Sequence, residues 1–160
     1  MKLNTIKATL VICSSLFIAT ASMAGFDITR MTTVVDDLSG SYTVSKSGRL
    51  DDMQFTGTSL TEFNQFHPGS GENDATINGV ISKDSSRGDG QLTTSSDGAF
   101  TLESKEGVWD VSFSGLLIQA SDAGVEMSGS VDVNGETYDA AELPENVAKL
   151  LRRVFWLTRR

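Results

Sequence analysis

Few side chains in this sequence suit catalysis, and the first to consider is His67, the single histidine. A catalytic histidine needs a nucleophile beside one ring nitrogen and an orienting group beside the other. His67 lies in a stretch rich in glycine and serine, where a histidine is ordinarily solvated. The acidic pairs at 36–37 and 51–52 stand beside turn residues, so turn capping explains them more simply than acid–base catalysis. The sequence predicts no catalytic residues and no enzymatic activity.

Metal ligands are equally sparse. Acidic residues occur in two predicted loops, at 67–73 and 83–90, and calcium prefers such carboxylate ligands. Their spacing is not that of a known calcium loop, and Arg87 places a positive charge among them. One histidine cannot build a site of several imidazoles, and one cysteine cannot form an internal disulfide. We predict no metal and no cofactor.

The candidate contact residues lie in the segment 144–160, which is predicted to form an amphipathic helix. Stepped at helical spacing, its apolar and charged side chains separate into two faces. Pro144 suits the first helical position. The charged face carries the residues that could touch a partner or a membrane: Lys149, Arg152, Arg153, Trp156, Arg159 and Arg160. Tryptophan and arginine are enriched in binding hot spots.

Three interpretations of this tail remain open. Its apolar face could cover a sheet, which is the ordinary role of a terminal helix on a β domain and the one we favour. It could lie on a membrane surface, where basic residues meet anionic lipid. It could dock an acidic partner through Trp156. Because Trp156 falls on the charged face, insertion into lipid together with the leucines is disfavoured.

Residues 1–24 have the three-part pattern of a secretory signal peptide. Lys2 and Lys7 precede an apolar run at 8–19, and small residues follow at Ser22 and Ala24. The run is shorter than the ~20 residues of a membrane-spanning helix. We therefore expect cleavage after Ala24, a mature chain without a transmembrane helix, and a periplasmic or secreted location.

The charge is divided unevenly along the mature chain. The full sequence has a net charge of −8. Residues 25–143 contain 20 acidic and 6 basic side chains, whereas residues 144–160 contain 1 acidic and 5 basic ones. A strongly acidic body argues against a generic nucleic-acid binder, which presents a basic face.

The region 25–143 is predicted to form an antiparallel β domain, because apolar and polar residues alternate along it. In one run Trp109, Val111, Phe113 and Leu117 are expected to share a face. Turn signals at 97–98, 106–107, 122–124 and 134–135 divide residues 91–142 into a meander of five strands. Upstream strands are expected near 26–35, 41–47, 50–58, 60–66 and 75–82, with loops at 67–73 and 83–90.

Four glycines fall inside these strands rather than at their ends: Gly57, Gly79, Gly115 and Gly129. Such glycines mark bends or bulges, or positions where a large neighbour needs room. Repeated bends indicate a sheet that curls. The predicted fold is all-β, an antiparallel meander of about 8–10 strands in a curled sheet or small barrel, with one C-terminal helix packed on or beside it.

Two functional hypotheses follow. The first is an exported protein of the bacterial envelope, not an enzyme, that binds an apolar or lipid-like small molecule inside the curled sheet. The second is a structural or interaction protein of the envelope or secreted matrix, which docks an envelope protein or makes peripheral membrane contact through its basic helix. A small outer-membrane barrel is less favoured, because the strands look short for ~10-residue crossings.

Overall fold

Apolar and polar residues alternate through most of the described chain, a pattern typical of β-strands. This part of the chain has eight strands followed by one α-helix. The computed structural model describes residues 25–51, 54–68, 75–105, 107–122 and 124–158. The strands are β1 (Phe26–Val35), β2 (Ser41–Asp51), β3 (Gln54–Phe66), β4 (Thr76–Gly88), β5 (Gln91–Ser104), β6 (Gly107–Ser121), β7 (Gly124–Val133) and β8 (Glu136–Asp139). A short 3-10 turn (Ala140–Glu142) leads to helix α1 (Glu145–Leu157). The predicted signal peptide lies outside the described residues.

The strands form one antiparallel sheet in which each strand lies beside its neighbours in chain order. β1 and β8 are the two edges, so the sheet is not closed. Ile28 on β1 and Val125 on β7 nevertheless line the same cavity. Strands so far apart in the order can share a cavity only if the sheet curls. The predicted fold class is confirmed, as an open curled sheet rather than a closed barrel.

Helix α1 packs on the inner face of the sheet, which is the face that carries the hydrophobic core. Its buried residues recur at helical spacing: Val147, Leu151, Val154, Phe155 and Leu157. The Phe155 ring centre lies 5.5 Å from that of Phe113 on β6. Pro144 stands at the N-cap rather than at the first helical position. The apolar face of the helix thus covers the sheet, as in the favoured interpretation of the tail.

The predicted turn at Asp97–Gly98 is wrong, because β5 continues through both residues. The Asp97 carboxylate instead accepts hydrogen bonds from the Ser114 hydroxyl (2.9 Å) and the Gly115 amide (2.8 Å) on β6. An aspartate can therefore accept hydrogen bonds from a distorted neighbouring strand as well as from a turn. The predicted five strands between 91 and 142 are four strands and a 3-10 turn.

The predicted loop at 83–90 is also wrong, since β4 extends to Gly88 and only Asp89 and Gly90 form the turn. Both turn residues have positive φ, 50° and 77°. The two strands expected at 50–58 and 60–66 are the end of β2 and a single long β3. In these segments one face borders a cavity rather than packed core, so the apolar alternation that would reveal a strand is weak.

A bulge in β6 changes which leucine enters the core. The pairing with β7 shifts between Ser114 and Leu117. Gly115 has a φ of 62° there, which fits the prediction that strand glycines mark bulges. Leu116 is consequently fully buried, and Leu117 lies on the outer face opposite Ser128. The expectation that Leu117 shares a face with Phe113 is wrong, because the bulge shifts the alternation by one residue.

Candidate ligand cavity

The inner face of the sheet consists of a packed half and an uncovered half. α1 covers the packed half, where Tyr42, Phe63 and Phe100 belong to the core. The uncovered half encloses a cavity of about 620 Å³, here called the inner cavity. Phe155 and Thr158, at the end of α1, line the cavity where it meets the core. The helix therefore fills part of the curled sheet and leaves the rest open.

The wall of the inner cavity is largely apolar. Its apolar side chains come from β1, β3, β5, β6 and β7: Ile28, Phe55, Leu92, Ile118, Ala120 and Val125. The Phe55 ring lies against the backbone of Gly48 and Gly57, which pair across β2 and β3. A Cβ atom at either glycine would stand 2.6 Å from that ring. Gly57 thus makes room for a large neighbour and gives the cavity a flat aromatic surface.

A polar row crosses the inner cavity on the side nearest the helix. Direct register pairs join Arg30, Lys46, Ser59, Lys83 and Ser96 across five consecutive strands. The first four line the cavity. Burial lowers the pKa of Lys46, and the charge of Arg30 beside it lowers that pKa further. The row places two neighbouring cations at the wall of a partly enclosed space.

Lys83 in this row also holds the end of the helix. Its ammonium group donates a hydrogen bond to the Thr158 hydroxyl and lies 4.6 Å from the centre of the Phe155 ring. A cation at a helix C-terminus is favoured by the helix dipole. Lys83 therefore has a structural contact to α1.

Sequence reasoning missed this row, although a signal was present. Lys46 follows Tyr42 and Val44 at a spacing of two, so it shares their face. Lys83 follows Ile81 in the same way. A charged residue in phase with core residues points to a polar site inside the sheet, and that phase can be read from the sequence.

The predicted contact residues lie on the other side of α1, in a groove between the helix and the sheet. The groove has a volume of about 680 Å³. Its lining includes Trp109 of β6, Lys105 just after β5, and four of the predicted residues: Lys149, Arg152, Arg153 and Trp156. We call it the basic groove. Trp156 is 55% exposed, and Lys149 pairs with Glu145 at 2.8 Å. The other two predicted residues, Arg159 and Arg160, lie outside the described residues.

His67 is half-buried rather than solvated, which corrects the expectation from the sequence. Its Nδ1 lies 3.0 Å from Asp36 Oδ2, and its Nε2 lies 3.1 Å from Thr76 Oγ1. With a proton on Nδ1, the ring donates to Asp36 and accepts from Thr76. The order of hydroxyl, imidazole and carboxylate is that of a nucleophilic triad. His67 and Thr76 are not among the residues that line the inner cavity or the basic groove, although their chain neighbours Pro68 and Ala75 line the groove.

Asp36 gives this network a structural role. Its Oδ1 accepts the amides of Leu38 and Gly40, both at 2.8 Å, and its Oδ2 accepts the His67 amide at 2.6 Å. The carboxylate thus ties the β1–β2 turn to the end of β3. Turn capping was the role expected for the 36–37 pair, and it is confirmed for Asp36. The prediction that the protein has no catalytic residues stays a prediction.

The free energy of unfolding should depend on the charge of Asp36. Burial alone would raise the pKa of Asp36, but hydrogen bonds from His67, Leu38 and Gly40 outweigh it and lower that pKa. A carboxyl whose folded pKa is depressed stabilises the fold above its unfolded pKa, ~3.9, and loses this effect as pH falls through the folded value. Asp36→Asn is expected to cost about 2 kcal/mol at pH 7, and the difference from wild type should shrink below about pH 4.

Urea unfolding of both proteins across this pH range measures the effect. Asp37→Asn, at the exposed neighbouring position, is the control and should differ little from wild type throughout. A difference for Asp36→Asn that is constant down to pH values where carboxylates are protonated would show that the charge is not what stabilises the network.

Two further observations concern the described part of the chain. It contains no group of three or more histidine, cysteine or acidic residues placed to hold a metal ion. It contains no helix long and apolar enough to cross a membrane. Comparison of the sequence and structure with protein-family models, curated proteins and solved structures found no match.

Proposed function

We propose that this protein is an exported binding protein of the bacterial envelope, not an enzyme, that holds a ligand with an apolar chain in the inner cavity. The single observation that carries the proposal is the uncovered half of the curled sheet. Its cavity of about 620 Å³ falls within the ~300–1,000 Å³ of small-molecule sites. Export is supported by the signal-peptide pattern of residues 1–24.

The exposure of apolar side chains around the cavity supports a binding role. Ile28 is 43% exposed and Val125 is 71% exposed, although both belong to the face that elsewhere forms the core. Exposing apolar surface to water costs free energy, and contiguous exposed patches commonly mark binding sites. A ligand chain in the cavity would remove this surface from water without changing the packed half.

Filling the cavity with a side chain tests the proposal. Ser85 lies on the inner face and lines the cavity, whereas Ser86 lies exposed on the outer face of the same strand. Ser85→Trp should weaken binding of a neutral apolar dye, phenylnaphthylamine, at least about tenfold, a loss of ~1.4 kcal/mol. Ser86→Trp should leave the affinity unchanged. Fluorescence titration of the purified proteins measures both, and native mass spectrometry of the wild type shows any molecule retained during purification.

Two results would contradict the proposal. The wild type could fail to bind any apolar chain and carry no bound mass, which would make the cavity an empty structural space. Alternatively, Ser85→Trp and Ser86→Trp could bind the dye equally, which would place the binding site elsewhere on the protein.

The basic groove favours a second candidate function, the docking of an acidic partner through α1. Arg152, Arg153 and Trp156 are exposed on the helix face opposite the core, and they line one groove with Trp109. Surface charge of this kind attracts an acidic partner and steers its approach. A partner in the groove would meet these charged side chains together with apolar groups that also line it, among them Trp109 and Leu150.

The docking hypothesis predicts that attachment and folding can be separated. Trp156→Ala combined with Arg152→Gln and Arg153→Gln should release the protein from an envelope fraction while its urea unfolding midpoint stays close to wild type. A control with Asn146→Ala, elsewhere in the groove lining, should remain attached. Retention of the triple variant in the envelope fraction would exclude the groove as the docking surface.

A further inference from the structure

The cations of the β domain are concentrated on one face of one half of the sheet. Residues 25–143 contain only 6 basic side chains. Four of them occupy inner-face register positions in the uncovered half: Arg30, Lys46, Lys83 and Arg87. Arg49 is on the outer face, where it pairs with Asp27 at 3.4 Å, and Lys105 follows β5. Most of the basic side chains of this acidic domain therefore lie on the inner face of the sheet.

The acidic residues of the strands have the opposite distribution. Ten of them take the outer-face registers: Asp27, Asp51, Glu62, Asp84, Asp97, Glu103, Asp110, Glu126, Asp132 and Asp139. Glu136, on the short β8, takes an inner register, but it pairs with Val133 at the packed end of the sheet. Within the described uncovered half, no inner register position carries an acidic side chain. The charged side chains that line the inner cavity are therefore all cations: Arg30, Lys46 and Lys83.

Lys83 caps the helix, whereas Arg30 and Lys46 form a second group of cations at the edge of the sheet. Lys83 contacts Thr158 and Phe155 at the end of α1. Arg30 and Lys46 are direct register partners on β1 and β2. Like charges placed directly opposite each other on a sheet are destabilising. An anion between them would offset this repulsion and form charge-assisted hydrogen bonds with both side chains.

We propose that the ligand of the inner cavity is a single-chain amphiphile with an anionic head, and that Arg30 and Lys46 bind the head. This inference rests on the proposed function. The chain would run along the strands towards Phe55, which lines the cavity, and its inner-face register partner Leu50. Lys46 and Leu50 are four residues apart on one strand, a span of about 13 Å. A medium-length alkyl chain fits this span.

Three ligands with the same chain and different heads test the inference on the purified full-length protein. Decanoate carries a negative head, decanol a neutral one and decyltrimethylammonium a positive one. The wild type should bind decanoate at least about tenfold more tightly than decanol, a difference of ~1.4 kcal/mol. It should bind the cationic amphiphile most weakly. Isothermal titration measures the three affinities, below the micelle concentration of the two charged ligands and below the solubility limit of decanol.

Matched variants assign the preference to the two residues. Arg30→Gln with Lys46→Gln should bring the affinity for decanoate down to that for decanol, with the affinity for decanol unchanged. Arg49→Gln removes a cation from the outer face of β2 and should preserve the preference. Arg30→Lys with Lys46→Arg keeps both charges and should preserve it too, which guards against an effect of misfolding in the double glutamine variant.

The outcomes separate the two proposals. Equal binding of decanoate and decanol by the wild type would overturn this inference and leave the proposed function intact. A preference for decanoate that survives in the double glutamine variant would also overturn it. Failure of all three amphiphiles to bind would overturn the proposed function itself.

Discussion

Phe155→Ala is expected to lower the free energy of unfolding by about 3–5 kcal/mol, because the residue joins the helix to the sheet. Its ring is buried against Phe113, with the two centres 5.5 Å apart, and it lies beneath the Lys83 ammonium group. Truncation removes the aromatic contact and leaves a cavity at the boundary between the packed half and the inner cavity. Urea unfolding followed by circular dichroism measures the loss.

Trp156→Ala is the matched control for Phe155→Ala. The two aromatic residues are adjacent in α1, but Trp156 is 55% exposed on the opposite face. Its replacement should change the free energy of unfolding by less than about 1 kcal/mol. Similar losses for the two variants would mean that α1 does not bury the face assigned to it, and the division of the inner face would then be wrong.

Gly79→Ala is expected to cost at least about 3 kcal/mol, because crowding and backbone strain act together. Gly79 has a φ of 141°. A Cβ atom at this position would lie 2.3 Å from the carbonyl oxygen of Ala99 and 2.5 Å from Phe100 Cα. Both obstacles are backbone atoms of the paired strand β5, so relief requires the two strands to separate.

Gly115→Ala separates strain from crowding. Gly115 also has a positive φ, 62°, but a Cβ atom there would meet nothing within 4 Å. Only the left-handed backbone penalises alanine at this site, by about 1–2 kcal/mol. Thermal and urea unfolding of both variants give the comparison. A Gly79→Ala variant no less stable than Gly115→Ala would show that β4 and β5 are not as close as described.

Local signals in the sequence predicted the parts of the fold that depend on neighbouring residues. The Asn134–Gly135 dipeptide predicted the β7–β8 turn, and both residues have positive φ, 53° and 82°. The helical spacing of Val147, Leu151 and Val154 predicted the buried face of α1. These features depend on the conformation of a few consecutive residues, which their side chains determine.

Features that depend on contacts between distant residues were not predictable in this way. The local sequence at Asp97 predicts a turn. In the structure, the Asp97 carboxylate accepts a hydrogen bond from the amide of Gly115 on the next strand. The hydrogen-bond partners of the His67 ring are Asp36 and Thr76, and Asp36 is 31 residues away in the sequence. Four of the predicted contact residues do lie together in the basic groove, since they share one helix, but their role stays a prediction.

The order of the elements along the chain has a consequence for how the protein folds. All eight strands precede α1, and each strand pairs with the one before it. Pairing between successive strands requires only short loops to close, so the sheet can grow as the chain emerges. Phe113 and Leu116 belong to the core that α1 completes, so they remain exposed until the helix packs on the sheet. Until then the sheet exposes apolar surface that chaperones can bind, and the core is complete only when the helix packs on it.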